Sequence, residues 1–136
     1  MIFQHLLVAS LFAAALRAQV QPADRILGRW NSPSGESTIE IVKCADAYCG
    51  SIKAMKTPRL DANNPDASLR KRPLVGLQVL RGFHYAGALV WKGGTLYGPA
   101  RGREVSPKLE LTSQDTLEIK VPGGLGRRSV LWTRVK

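Results

Sequence analysis

Short runs of alternating apolar and polar residues, divided by turn signals, extend from Gly28 to the C-terminus. Residues 37–43 put Ile39 and Ile41 on one face and Thr38, Glu40 and Val42 on the other. Leu117, Ile119 and Val121 alternate in the same way with Glu118 and Lys120. Residues 103–111 set Val105, Leu109 and Leu111 against Glu104, Lys108 and Glu110. A period of two is that of a strand with one buried face. Pro107 interrupts the last run and predicts an edge position or a bulge there. Residues 74–83 form a longer apolar stretch with Val75, Leu77 and Val79 in register. Gly93-Gly94 lies between the runs 89–92 and 95–97 and predicts a two-residue hairpin, with Trp91 facing Leu96 across the pair. With further strands at 50–55 and 129–135, the chain reads as all-β, with about eight antiparallel strands in meander order. Such a set closes into a barrel that removes exposed edges and has room for one small ligand. A two-sheet sandwich is the alternative.

One polar insert, residues 61–74, breaks this rhythm. Asn64, Pro65 and Asp66 read as a helix start, with Asn64 as N-cap, Pro65 at the first helical position and Asp66 at the positive end of the dipole. The helix ends by Lys71, because Pro73 restricts Arg72 to extended geometry. Asp61, Asn63 and Asp66 offer oxygen ligands. The string lacks the glycine and the distal glutamate of an EF-hand loop, and no metal is expected. Two roles are open here: Arg70 and Arg72 binding a carboxylate or phosphate at the barrel mouth, or the carboxylates and arginines together tying the insert onto the barrel as a lid or plug whose backbone needs partners.

The 136 residues suffice for one domain. The apolar stretch 6–16 is too short to span a bilayer and suits the h-region of a signal peptide. We therefore expect a leader over 1–18, cleavage after Ala18, a single domain over 19–136 and a periplasmic or secreted location. The n-region has His5 as its one basic side chain, and Leu16 stands where a small residue is preferred. The formal charge of +10 falls to +9 once Arg17 is removed. An excess this large favours anionic partners: acidic metabolites, lipid headgroups or envelope polymers. Nucleic acid is not expected, for want of a recognition helix, RNP-like motif or zinc finger. Cys44 and Cys49 fit a structural disulfide of an exported protein, worth roughly 2 kcal/mol for so short a loop. Their spacing is not C-x-x-C, no Cys/His set completes a zinc site, and no cofactor is called for.

Arg101, Arg103, Arg127, Arg128 and Arg134 cluster in the later strands. Arg103 shares parity with Val105 and Leu109 and is expected to point inward, toward an acidic ligand head. Phe83, Trp91 and Tyr97 are the candidates for lining such a cavity. Signals for catalysis are thin. His84 reads as a turn residue without a serine, cysteine or aspartate in a nucleophilic arrangement. Gly93-Gly94 and Gly123-Gly124 read as turns and not as phosphate loops. A hydrolase using Asp61 or Asp66 is the remaining enzymatic alternative.

Gly28-Arg29-Trp30 near the start and Trp132-Thr133-Arg134 near the end resemble the pattern of small lipocalin-like (calycin) barrels. In those barrels a Gly-x-Trp strand opens the domain and an arginine of the last strand packs over the tryptophan. The resemblance pairs Arg134 with Trp30, a cation–π contact of roughly 0.5–2 kcal/mol. A longer set of matches resembles the DUF2147 family of bacterial exported proteins. It comprises Lys43-Cys44 to Cys49-Gly50, the string from Asp61 through Asn-Pro-Asp to Leu69-Arg70-x-Arg72-Pro73-Leu74, and Leu80-x-Gly82-Phe83. Trp91-x-Gly-Gly-x-x-Tyr97-x-Pro99 and Trp132-Thr133-Arg134-Val135 complete it. This likeness implies an exported single-domain β protein and brings no activity with it. The reading that follows is a non-catalytic barrel that binds a small amphipathic or anionic molecule. Arg70, Arg72 and Arg103 would contact the headgroup, and Phe83, Trp91 and Tyr97 would line the cavity. The alternative is a module for an anionic envelope surface.

Overall fold

The computed structural model describes residues 19–123 and 128–136. The expected leader and Arg127 lie outside the described residues. The strands are β1 (Gly28–Asn31), β2 (Ser37–Cys44), β3 (Ala47–Met55), β4 (Gln78–Tyr85), β5 (Val90–Lys92), β6 (Thr95–Gly98), β7 (Arg103–Val105), β8 (Lys108–Ser113), β9 (Thr116–Val121) and β10 (Arg128–Arg134). Each pairs antiparallel with its neighbours, and the β1–β10 and β3–β4 pairings close the sheet on itself.

Gly93-Gly94 is not a hairpin. Tyr85↔Trp91 and His84↔Lys92 continue in unbroken register as Arg81↔Thr95 and Leu80↔Leu96. β5 and β6 are therefore one strand on one edge of β4, and Trp91 and Leu96 lie along it rather than across a pair. The glycine is there for packing. A Cβ on Gly94 would lie 2.3 Å from the Arg81 carbonyl oxygen and 2.5 Å from Phe83 Cδ2. β7 and β8 are likewise one strand, β7 on β6 and β8 on β5, with a one-residue change of register between the two pairings. Pro107, which has no N–H to give a ladder, sits in that break. The ten segments thus make a closed eight-stranded up-and-down barrel.

The alternating positions supply the core. Ile39, Ile41, Leu109, Leu111, Leu117 and Ile119 are buried, and the three tryptophans Trp30, Trp91 and Trp132 join them. The stretch 74–83 departs from its expected strand. β4 starts only at Gln78, because residues 74–77 form a turn in which the Leu77 N–H donates to the Leu74 carbonyl and Gly76 takes a positive φ of 89°. Leu74 is buried there while Val75 is 38% exposed. Cys44 and Cys49 form a disulfide across the β2–β3 hairpin.

Strand direction assigns the connections to two ends. At the lower end a 3-10 turn, Pro22–Ile26, caps the barrel. The indole N–H of Trp30 donates to the Ile26 carbonyl (2.9 Å) and that of Trp91 to Ala23 (3.1 Å). Arg134 donates to the carbonyls of Leu27 and Arg25 at 2.9 and 2.8 Å, with its guanidinium carbon 4.3 Å from the Trp30 ring centre. At the upper end lie the β1–β2 loop, the insert between β3 and β4, the β6–β7 turn, the last residues of β9 and the first of β10.

A candidate binding site at the plugged end of the barrel

The insert enters and leaves through a short antiparallel pair. The Asp61 N–H donates to the Arg72 carbonyl (2.9 Å), the Leu74 N–H to Arg59 (3.0 Å), and Leu60 bridges Pro73. Alternation along this pair turns Leu60 outward and Asp61 into the barrel. Asp61 is fully buried, a position that a carboxylate tolerates only with partners. It has three. The Tyr97 hydroxyl of β6 donates to Oδ1 at 2.6 Å, and Asn64 Nδ2 and Arg72 Nε each donate to Oδ2 at 2.9 Å. Burial pushes the Asp61 carboxyl up, but these hydrogen bonds and the Arg72 charge outweigh it and hold the group below the usual carboxylate range. Tyr97 moves the opposite way, raised first by burial and then by the neighbouring carboxylate.

The rest of the insert is built around this latch. The helical segment is shorter than expected: one 3-10 turn, Ala67–Leu69, capped by Asp66 rather than Asn64. The Asp66 carboxylate accepts from the Ser68 N–H and hydroxyl, which lower its pKa. Asn64 instead accepts from the Asp66 N–H through Oδ1 (2.8 Å) while holding Asp61 through Nδ2. Pro65 precedes the turn and cannot donate. Arg70 Nε donates to the Asn64 carbonyl at 2.8 Å. Asn63 Nδ2 reaches the Ala100 carbonyl at 3.0 Å, joining the insert to the β6–β7 turn. A Cβ at Gly102, where φ is +60°, would lie 1.8 Å from the Asn63 carbonyl oxygen, so only glycine allows this contact. The insert is a plug strapped to the rim at several points.

The sequence-selected residues do not share one place. Arg70 lines a shallow pocket of about 460 Å³ on the plug, with Asn63, Asn64, Pro65, Ala100 and Arg101. Arg72 is committed to Asp61 and stands 6.0 Å from the Tyr97 ring centre. Arg103 is exposed at the start of β7 and belongs to the rim, not the interior. Phe83 and Trp91 are fully buried and Tyr97 nearly so, below the plug. His84 is exposed on β4 rather than in a turn. Asp61, Asn63 and Asp66 do not converge, and among the described residues no three His, Cys, Asp or Glu side chains could hold a metal. A wider groove of about 980 Å³ lies at the lower end, where Leu27, Leu89 and Leu111 face Arg25 and Arg134. The sequence reading missed the Asp61–Tyr97 bond and the lower 3-10 turn. The available signal for the first was a tyrosine in a strand, whose buried hydroxyl needs a partner. Pro22 and Asp24 were the signal for the second.

A family model described as "Uncharacterized protein conserved in bacteria (DUF2147)" matches residues 28–134, from the Gly-x-Trp strand to the arginine that packs on it. The chain belongs to this family. No curated protein matches it. Among solved structures it is similar to one described as "Protein HP1028 from the human pathogen Helicobacter pylori belongs to the lipocalin family". The TM-score is 0.72 at 19% identity, over 87% of this chain and 85% of that one. The fold of this DUF2147 member is thus lipocalin-like.

Proposed function

We propose that this protein is an exported, non-catalytic barrel that binds a small anionic molecule at its plugged end. One observation carries the reading: the polar pocket between the plug and the β6–β7 turn has Arg70 and Arg101 in its wall. Arg70 is oriented by the Asn64 carbonyl, and Arg101 enters none of the ion pairs among the described residues. The held guanidinium of Arg70 beside the exposed one of Arg101 suits a carboxylate or phosphate, engaged by charge-assisted hydrogen bonds. The mouth is favoured over the interior because Phe83, Trp91 and the aliphatic core fill the space beneath. An amphipathic ligand would have to lift the plug to reach them.

Native mass spectrometry of the protein recovered from a bacterial periplasm tests both parts of this reading. The expected chain starts at Gln19 and carries an extra mass that denaturing extraction removes. Arg101→Ala, an exposed site, is expected to fold normally and to weaken ligand retention by about tenfold or more, the scale of one charged hydrogen bond. A bare oxidised chain in every preparation, or an adduct retained equally by the variant, would overturn the assignment.

A further inference from the structure

We propose that the plugged end of the barrel docks on an anionic phospholipid bilayer, with Leu60 and Val75 entering the headgroup region among basic side chains. The first observation is an inversion of the usual surface pattern. The plug buries an aspartate completely and leaves the leucine before it 51% exposed. Val75, one residue beyond the same antiparallel pair, is 38% exposed, and the bridged Pro73 is exposed between them. Leu60, Pro73 and Val75 thus put three apolar side chains on the outer side of one short segment.

The second observation is charge. Lys56, Arg59, Lys71, Arg101, Arg103 and Arg128 are exposed, and the topology brings all of them to the upper end. None enters an ion pair among the described residues. The carboxylates at that end are engaged elsewhere: Asp61 with Tyr97 and Arg72, Asp66 with Ser68, Glu104 with Arg81, and Glu36 with the Thr57 N–H. The face is therefore positive and apolar together, the combination that holds peripheral proteins on anionic membranes. A soluble polyanion would use the charges and gain nothing from Leu60 and Val75.

Co-sedimentation of the protein recovered from a bacterial periplasm, free of the expected leader, with phosphatidylcholine vesicles, with and without phosphatidylglycerol, tests this, alongside binding to soluble polyphosphate. Binding is expected only where phosphatidylglycerol is present. Lys71→Ala and Arg59→Ala should each weaken it about fivefold. Leu60→Ser with Val75→Ser should weaken it about tenfold or more at physiological salt and leave polyphosphate binding unchanged. Near-UV circular dichroism checks that the variants fold. Equal binding to neutral vesicles, or unchanged vesicle binding by the Leu60/Val75 variant, overturns the proposal. The second result would assign the face to soluble polyanions. Arg59, Leu60, Lys71 and Val75 do not line the small-molecule pocket, so failure here is separate from failure there.

Discussion

Asp61 shows how one side chain organises a loop. Its two oxygens take donors from a strand tyrosine, an insert asparagine and an insert arginine. The bonds hold both ends of the insert against the barrel. Removing one donor leaves part of a buried charge unpaired, which costs more than the bond itself contributes. Tyr97→Phe is therefore expected to destabilise the fold by about 1–3 kcal/mol, read as a lower midpoint in urea with an unchanged slope. The same hydroxyl bond lowers the pKa of Asp61 in the native state, so the variant should also unfold at higher pH on acidification.

The plug and the 3-10 turn close the barrel from opposite ends, and they are held differently. The lower cap rests on two indole N–H donors and on Arg134. The plug rests on Asp61, on Arg70 within the insert and on the Asn63–Gly102 contact with the β6–β7 turn. Replacing residues 61–72 by a short Gly/Ser linker removes the plug and spares every strand. We expect the barrel to remain β-rich by far-UV circular dichroism while Tyr97 and its neighbours become accessible. The expected readout is a gain of fluorescence from a hydrophobic dye, absent in the parent. A variant that stays dark would show that the strands alone seal this end.

Over the whole molecule, the coupling between plug and barrel gives stability a particular dependence on pH. The native Asp61 carboxyl titrates below its ordinary value, whereas in the unfolded chain it titrates near pH 3.9. Between those values the unfolded state binds the extra proton, so stability rises with pH there. The contribution is complete above the unfolded pKa and is lost as pH falls through the native one. Asp61→Asn should thus be less stable than the parent at neutral pH and have a shallower acid limb. Asp66 and Glu40 are also lowered, by Ser68 and by Arg29, and leave a residual slope. Urea midpoints measured from neutral pH down to about pH 3 compare the two. Parallel acid limbs would mean that the backbone bonds to the Arg59 and Arg72 carbonyls, and not the carboxylate, hold the plug.

Residue order carried the all-β class and most of the strands, and left barrel and sandwich both open. Ile39 and Ile41, Leu109 and Leu111, and Leu117 and Ile119 each keep the two-residue period of a half-buried strand, a local signal that survives without knowing any partner. The resemblance of Gly28-Arg29-Trp30 and Trp132-Thr133-Arg134 to lipocalin-like barrels marked the first and last strands, which the structure pairs. The closed packing of the tertiary structure decided the rest. Gly93-Gly94 reads locally as a turn, yet the Phe83 ring of the neighbouring strand needs that space and the chain runs straight through. Val75 and Leu77 read as strand, yet a turn at Gly76 places one outside and one half-buried. Asp61 reads as one of several insert carboxylates able to tie the loop down, and nothing local singles it out for burial. Its burial follows from Tyr97, 36 residues away in sequence, and no spacing along the chain encodes that meeting. Periodicity records which face of an element is apolar. Hydrogen bonds between distant elements depend on register and closure, and these exist only once the barrel has formed.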